Sequence, residues 1–187
     1  ALRTPLATGF WREYNEWKSR VTIAQRQKRI GDILLLTEEI TNPLIKEEAV
    51  KKAGKALANM GRNELALVQY RKGLEVNPEN LTFRREEGFH LNRLNKVDEA
   101  IVKIEAILAD HPDDIESTAY LGRIYKEMWT DSWNWVQDPE KRLQMAFDSY
   151  HWLMKSYQIY VRGFRTDLDQ FYPGINALTL ATILVHL

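Results

Sequence analysis

One Glu-x-x-His spacing occurs in the chain, from Glu87 to His90. Residues three apart share a helix face, and di-iron bundles use such pairs to present a carboxylate and an imidazole to metal. That site needs a second pair and two further glutamates, and the second pair is missing, so His90 is expected to be packed or solvated and no metal is expected. His111 stands directly before Pro112, where helix-end chemistry explains it; His151 and His186 have no partner pattern. The neighbouring acids Glu38-Glu39, Glu47-Glu48, Glu86-Glu87 and Asp113-Asp114 could in principle act as acid and base. Adjacent helix residues point in different directions, however, and three of the four pairs fall at helix starts or on solvated faces. No GxxxxGK[ST] loop is present, AGKAL lacking both the spacing and the hydroxyl, and there is no GxSxG elbow. With no cysteine, disulfides, thiolate metal sites and cysteine nucleophiles are excluded. No catalytic residue and no cofactor is expected; what remains is non-covalent binding.

Lys plus Arg and Asp plus Glu each number 26 among 187 residues, so no overall field draws the chain to nucleic acid or anionic lipid. RNA reading by helical repeats is disfavoured for the same reason and because no base-reading pair recurs. Apolar residues make up 44% and charged residues 28%, a composition that builds a core and argues against disorder. The longest apolar stretch, INALTLATILVHL, is well short of the roughly 20 residues a membrane crossing needs. The first residues lack the pattern of a secretory signal, and with no cysteine a cytoplasmic setting is expected.

The elements that must position any binding residue repeat with a fixed step. Pro78 and Pro112 are 34 residues apart, Ala66 and Ala100 are 34 apart, and Gly54, Gly88 and Gly122 share that step. Three residue types in one register mark a helix-turn-helix unit repeated in tandem. ALVQYRKGL and AIVKIEAIL carry apolar residues at i, i+3, i+4 and i+7, the stripe of an amphipathic helix. The glycines let antiparallel helices approach closely, and Pro78 and Pro112 mark handovers between units. Asn80, Asp113 and Asp114 suit the starts of the following helices. Turns containing Gly61 and Asn63, or Asn95 and Lys96, join the helices of a unit. Residues 11 to 41 read as one long helix or two broken near Gly31, closed by Asn42-Pro43; a capping hairpin and a decayed first repeat both fit.

These positions resemble the tetratricopeptide repeat family. Its small residue, Ala, aromatic and Pro positions hold Gly54, Leu57, Ala66, Tyr70 and Pro78 in one unit, and Gly88, Leu91, Ala100, Ile104 and Pro112 in the next. A third unit starts at Ile115 with Leu121, Gly122 and Tyr125, then departs: the expected Ala comes about a dozen residues late, at Ala146, followed by Tyr150 and Leu153. The resemblance implies an all-α, right-handed solenoid of antiparallel helix pairs. Its expected parts are an N-terminal helical cap or degenerate repeat (1–46), repeats at 47–80, 81–114 and 115–163, and a linker with the first helix of an incomplete repeat (164–187).

Trp129, Trp133 and Trp135 are expected in a loop inserted in the third unit, either filling space over the helix ends or forming an aromatic cage. Leu121, Gly122, Tyr125, Lys126 and Trp129, with Gly163, Phe164, Asp167, Phe171, Tyr172, Pro173, Gly174, Ile175, Asn176 and Ala177, resemble bacterial tetratricopeptide proteins related to the TRAFs-binding domain of apoptosis signal-regulating kinases. That likeness implies a regulatory interaction domain and no catalytic residue, and the TRAF partner is not carried over. A solenoid end needs a polar cap. Leu180, Ile183 and Leu184 on the apolar last helix are therefore expected to be covered by the insertion, by a second copy of the chain, or by further residues.

The family's binding surface is the wall made by the first helix of each unit. Its positions here are Lys51, Lys55 and Asn59, then Arg85, Phe89 and Arg93, then Ala119, Arg123 and Glu127, with Asn92 and Lys126 adjacent; five of the nine are basic and one is acidic. Solubilising charge explains these residues as readily as a groove for an acidic or C-terminal peptide. The expected function is a protein-interaction module holding a peptide of another protein there. The alternative is the regulatory part of a larger signalling enzyme whose catalytic domain lies elsewhere.

Overall fold

The computed structural model describes residues 5–187; the first four, part of the expected N-terminal cap, lie outside them. Among the described residues every regular element is a helix: α1 (Pro5–Arg26), α2 (Ile30–Glu39), α3 (Pro43–Asn59), α4 (Asn63–Val76), α5 (Leu81–Arg93), α6 (Val97–Asp110), α7 (Ile115–Trp133), α8 (Pro139–Asp148), α9 (Tyr150–Thr166) and α10 (Phe171–His186). They form two compact units, one ending at Lys96 and the other beginning at Val97.

In the first unit, α1 and α2 are separate helices. The break falls ahead of Gly31, at Lys28, which takes a left-handed φ of 56°. The indole of Trp17 donates to the carbonyl of Leu36 at 2.7 Å and ties α1 to α2. Both helices pack on α3, around a core that includes Trp17, Val21, Ile33, Leu36, Ile45, Leu57, Tyr70 and Phe83. The α3–α4 turn passes through Gly61 at φ 70°, a conformation glycine adopts without steric cost. A Cβ on Gly54 would lie 2.7 Å from Cζ of Tyr70, and one on Gly73 would lie 2.6 Å from Cε2 of Phe83. Small residues thus let α3 meet α4 and α4 meet α5 at contact distance. The Asn80 side chain accepts from the Phe83 amide at 3.1 Å, capping α5 as its type predicts.

The second unit starts with α6, and Asp114 rather than Asp113 caps α7, its carboxylate accepting from the Ser117 amide at 3.0 Å. The partner of α7 is α9. A Cβ on Gly122 would lie 2.9 Å from Cζ of Tyr160, so Tyr160 does against α7 what Tyr70 does against α3. Ser156, four residues earlier as Ala66 is to Tyr70, donates its hydroxyl to the Gly122 carbonyl at 2.7 Å. The expected register on Ala146, Tyr150 and Leu153 is therefore corrected: the positions equivalent to Ala66 and Tyr70 are Ser156 and Tyr160, and Tyr150 is 48% exposed. The shift arises because α7 runs on to Trp133 and an extra helix, α8, starts at the Asp138-Pro139 cap.

Trp129 and Trp133 consequently lie on α7, not in a loop. The Trp129 indole donates to the Ala146 carbonyl at 2.9 Å and stands edge-on to Trp133, holding α8 to α7, while Trp135 is 65% exposed. The packing role expected of this segment holds for Trp129. On α10, Leu180 is buried and Ile183 and Leu184 are half-buried in a cluster with Trp129, Ala146, Leu153 and Tyr160, so the helices before α10 cover them. The exposed large apolar residues of α10 are others: Phe171, Tyr172, Ile175, Leu178 and Val185.

Candidate functional site

Helical spacing puts Lys51, Lys55 and Asn59 on one face of α3, and all three are exposed. On α5, Arg85, Phe89 and Asn92 are half-buried and Arg93 is exposed, its guanidinium 5.2 Å from the centre of the Phe89 ring. On α7, Arg123 and Lys126 are half-buried. The structure thus puts three of the candidate residues on α3, four on α5 and two on α7.

Around Arg123 and Lys126, three helices of the second unit converge. The Arg123 Nε donates to Glu127 at 2.7 Å, and that hydrogen bond raises the arginine's already high pKa, with the Glu127 charge adding to it. The Lys126 ammonium donates to Asn176 Oδ1 of α10 at 2.8 Å and lies 5.8 Å from the centre of the Tyr160 ring. Asn176 is itself oriented by donating its amide to the Tyr172 carbonyl at 2.9 Å. Tyr172 and Tyr160 meet edge to face, with centroids 6.1 Å apart. Tyr160 is fully buried, and its hydroxyl has no hydrogen-bond partner of ordinary geometry. Burial, and then the nearby Tyr172 hydroxyl, push the Tyr160 pKa far up, so the phenol is a neutral donor at any physiological pH.

Spacing on α7 picks out Arg123 and Lys126, but Tyr160, Tyr172 and Asn176 do not stand out in the sequence as part of a site. They come from α9 and α10, and Tyr160 could have been found only by noticing that Ser156-x-x-x-Tyr160 repeats the step of Ala66-x-x-x-Tyr70.

The Glu87-His90 pair is separated by other partners. Glu87 accepts from Arg71 Nε at 2.9 Å, while buried His90 has Nδ1 3.2 Å from Asn63 Oδ1 and its ring stacked on Tyr70 at 5.4 Å. Burial, helped by the charge of Arg93, lowers the His90 pKa to about 4, so the imidazole is neutral. Among the described residues no group of three or more His, Asp or Glu side chains is arranged to hold a metal ion. Glu38 pairs with Lys72 and Glu39 with Arg20, and the Glu47 side chain bonds Asn80: these acids bind neighbouring elements. Among the described residues no helix is long and apolar enough to cross a membrane.

No curated protein matches this chain. Solved structures similar to it are tetratricopeptide proteins or share their fold. A MamA double mutant (strain RS-1) has TM-score 0.58 and 17% identity, covering 91% of this chain and 84% of its own. A thermophilic tetratricopeptide protein of Thermus thermophilus has TM-score 0.58 and 16% identity, covering 74% and 66%. YrrB, described as a tetratricopeptide protein with an unusual peptide-binding site, has TM-score 0.54 and 13% identity, covering 86% and 72%. At such identities the likeness shows the fold, and the fold is all-α and of the tetratricopeptide kind. The profile of the family described as Tetratricopeptide Repeats-Sensor matches residues 62–181, more than half of the sequence and the whole Arg123–Lys126–Tyr160–Tyr172–Asn176 constellation, and the chain belongs to that family.

Proposed function

We propose that this chain is a protein-interaction module in which each unit by itself offers a first-helix face for an acidic peptide segment of another protein, Lys51, Lys55, Asn59, Arg85, Phe89, Asn92 and Arg93 in the first unit and Arg123 and Lys126 in the second. The observation that carries the reading is the assembly of Arg123 and Lys126 with Tyr160, Tyr172 and Asn176, where Lys126 is held by Asn176 of α10 and lies by the Tyr160 ring of α9, and Arg123 is held by Glu127 one turn along α7. Fixed side chains lose less rotamer entropy on binding than free ones. The exposed lysines of α3 add charge that draws an acidic segment in, at a few tenths to about 1 kcal/mol per contact. The peptide-binding site of YrrB is a property of that protein, and it supports the reading only through the shared fold.

The test uses the full chain on an array of acidic, neutral and basic peptides, beside the double variants Lys51→Glu/Lys55→Glu and Arg123→Glu/Lys126→Glu. Selective capture of acidic peptides by the parent, lost in at least one double variant whose helical content is unchanged, supports the proposal. Capture indifferent to peptide charge, or retained by both variants, overturns it.

A further inference from the structure

Counted from their N-caps, Asp114 and Gln170, α7 and α10 bury the same steps. Ser117, Leu121 and Ile124 are buried on α7, and Pro173, Ala177 and Leu180 are buried at the matching positions of α10. The adjoining face differs between the two helices. On α7 it carries Gly122 against the Tyr160 ring of α9, Lys126 beside that ring, and Trp129, whose indole donates to the Ala146 carbonyl of α8. On α10 the same three steps hold Leu178, Thr182 and Val185, all exposed, Leu178 by 69% and Val185 by 80%. With Phe171 and Ile175, also exposed, they follow one another at alternating steps of four and three residues, the seam spacing of a coiled coil.

Three observations say what fits this face. Leu178 stands where α7 has Gly122, and Gly54 plays the same part on α3, so a helix packed as α9 packs on α7 would drive its tyrosine ring into the leucine. Alone among the described helices, α10 contains no Asp, Glu, Lys or Arg. Two identical helices set any charge on a shared face against its own kind, and α10 has none to oppose. The Thr182 hydroxyl donates to the Leu178 carbonyl at 3.1 Å, so burying it leaves no donor unmet.

We propose that a second copy of this chain covers the face: α10 packs along α10 of the other copy, and Phe171, Ile175, Leu178, Thr182 and Val185 of each form an isologous seam. Burying the stripe on both copies removes on the order of 1,000 Å² of surface, the lower limit for a specific interface, so the dimer is reversible, with a dissociation constant on the order of 10–100 µM. The seam carries no charge, and added salt does not weaken it. It does not rest on the acidic-peptide reading.

Sedimentation velocity of the full chain from about 5 to about 500 µM is the test. The average mass of the parent should rise from that of one chain toward that of two, at low and at high salt alike. Leu178→Glu changes an exposed residue, keeps the helical content of the parent, and should raise the dissociation constant at least about tenfold. Leu178→Lys should do the same. An equimolar mixture of the two should regain part of the dimer, because Leu178 is the midpoint of the stripe and lies beside its equivalent whichever way the helices run. Leu143→Glu, at an exposed position of α8, should dimerise as the parent does. A parent that stays monomeric to about 500 µM overturns the proposal and leaves the face to a different protein. A Leu178→Glu variant that dimerises as tightly as the parent, or a mixture no more dimeric than either charged variant alone, overturns it as well.

Discussion

The ring of Tyr160 occupies the space that a side chain on Gly122 would need, with Cζ 2.9 Å from the position of the missing Cβ. The same relationship joins Tyr70 to Gly54 at 2.7 Å. Both rings are rigid and buried, so neither can yield cheaply to an added methyl group.

Gly54→Ala and Gly122→Ala should therefore each destabilise the fold by about 1–3 kcal/mol, the usual cost of overpacking. Gly31→Ala is the control: a Cβ there meets nothing within 4 Å, and the change should be neutral or stabilising by up to about 1 kcal/mol. Urea denaturation midpoints check this, and equal midpoints for all three variants would show that the glycines are not contact points.

The Gly-Ala-aromatic register was legible in the sequence where Gly54, Ala66 and Tyr70 carry it, because each residue type there reports one packing constraint. It was illegible in the third pair, where Ser156 replaces the Ala by satisfying its hydroxyl on the Gly122 carbonyl and α8 displaces α9 along the chain. Residue type alone puts the break between α1 and α2 near Gly31, whereas the backbone turns at Lys28, a lysine taking the left-handed conformation more common for glycine. Of the candidate site, cations at helical spacing could be read from one helix, but a constellation drawn from α7, α9 and α10 depends on how those helices pack.

Tyr160→Phe should raise stability, since it removes a buried hydroxyl that lacks a partner. Such a group costs about 1–3 kcal/mol, and the variant should melt at a higher temperature than the parent. A lower melting temperature would mean that the hydroxyl is satisfied in the folded protein.

His90 predicts a pH dependence whose sign follows from its lowered pKa. Its folded pKa is about 4 against an ordinary 6.5, so the unfolded chain binds the extra proton first. The stability of the neutral, buried form is present in full above pH 6.5 and is lost as pH falls toward 4. Glu86, with Oε2 3.6 Å from His90 Nε2, opposes this loss, and Arg93 reinforces it. Between pH 7 and 4.5 the parent should lose about 2–3 kcal/mol more than a His90→Gln variant in urea unfolding. Parallel pH profiles would contradict this.

Asp114→Ala removes the cap of α7 and should cost about 0.5–2 kcal/mol. Asp113→Ala, one residue away and exposed, should cost much less. Thermal unfolding of the two variants decides between them.

The central claim, that the first-helix faces bind an acidic segment, is tested most directly by amide and side-chain chemical shifts of the full chain during titration with the tightest-binding acidic peptide. The account predicts that the largest changes fall on the described site residues, above all Arg123, Lys126 and Asn176, with Lys51 and Lys55, and that they diminish as added salt screens the charges. Changes confined to the exposed Trp135 indole and to α8, with Arg123 and Lys126 unmoved, would contradict it and assign binding to the inserted helix.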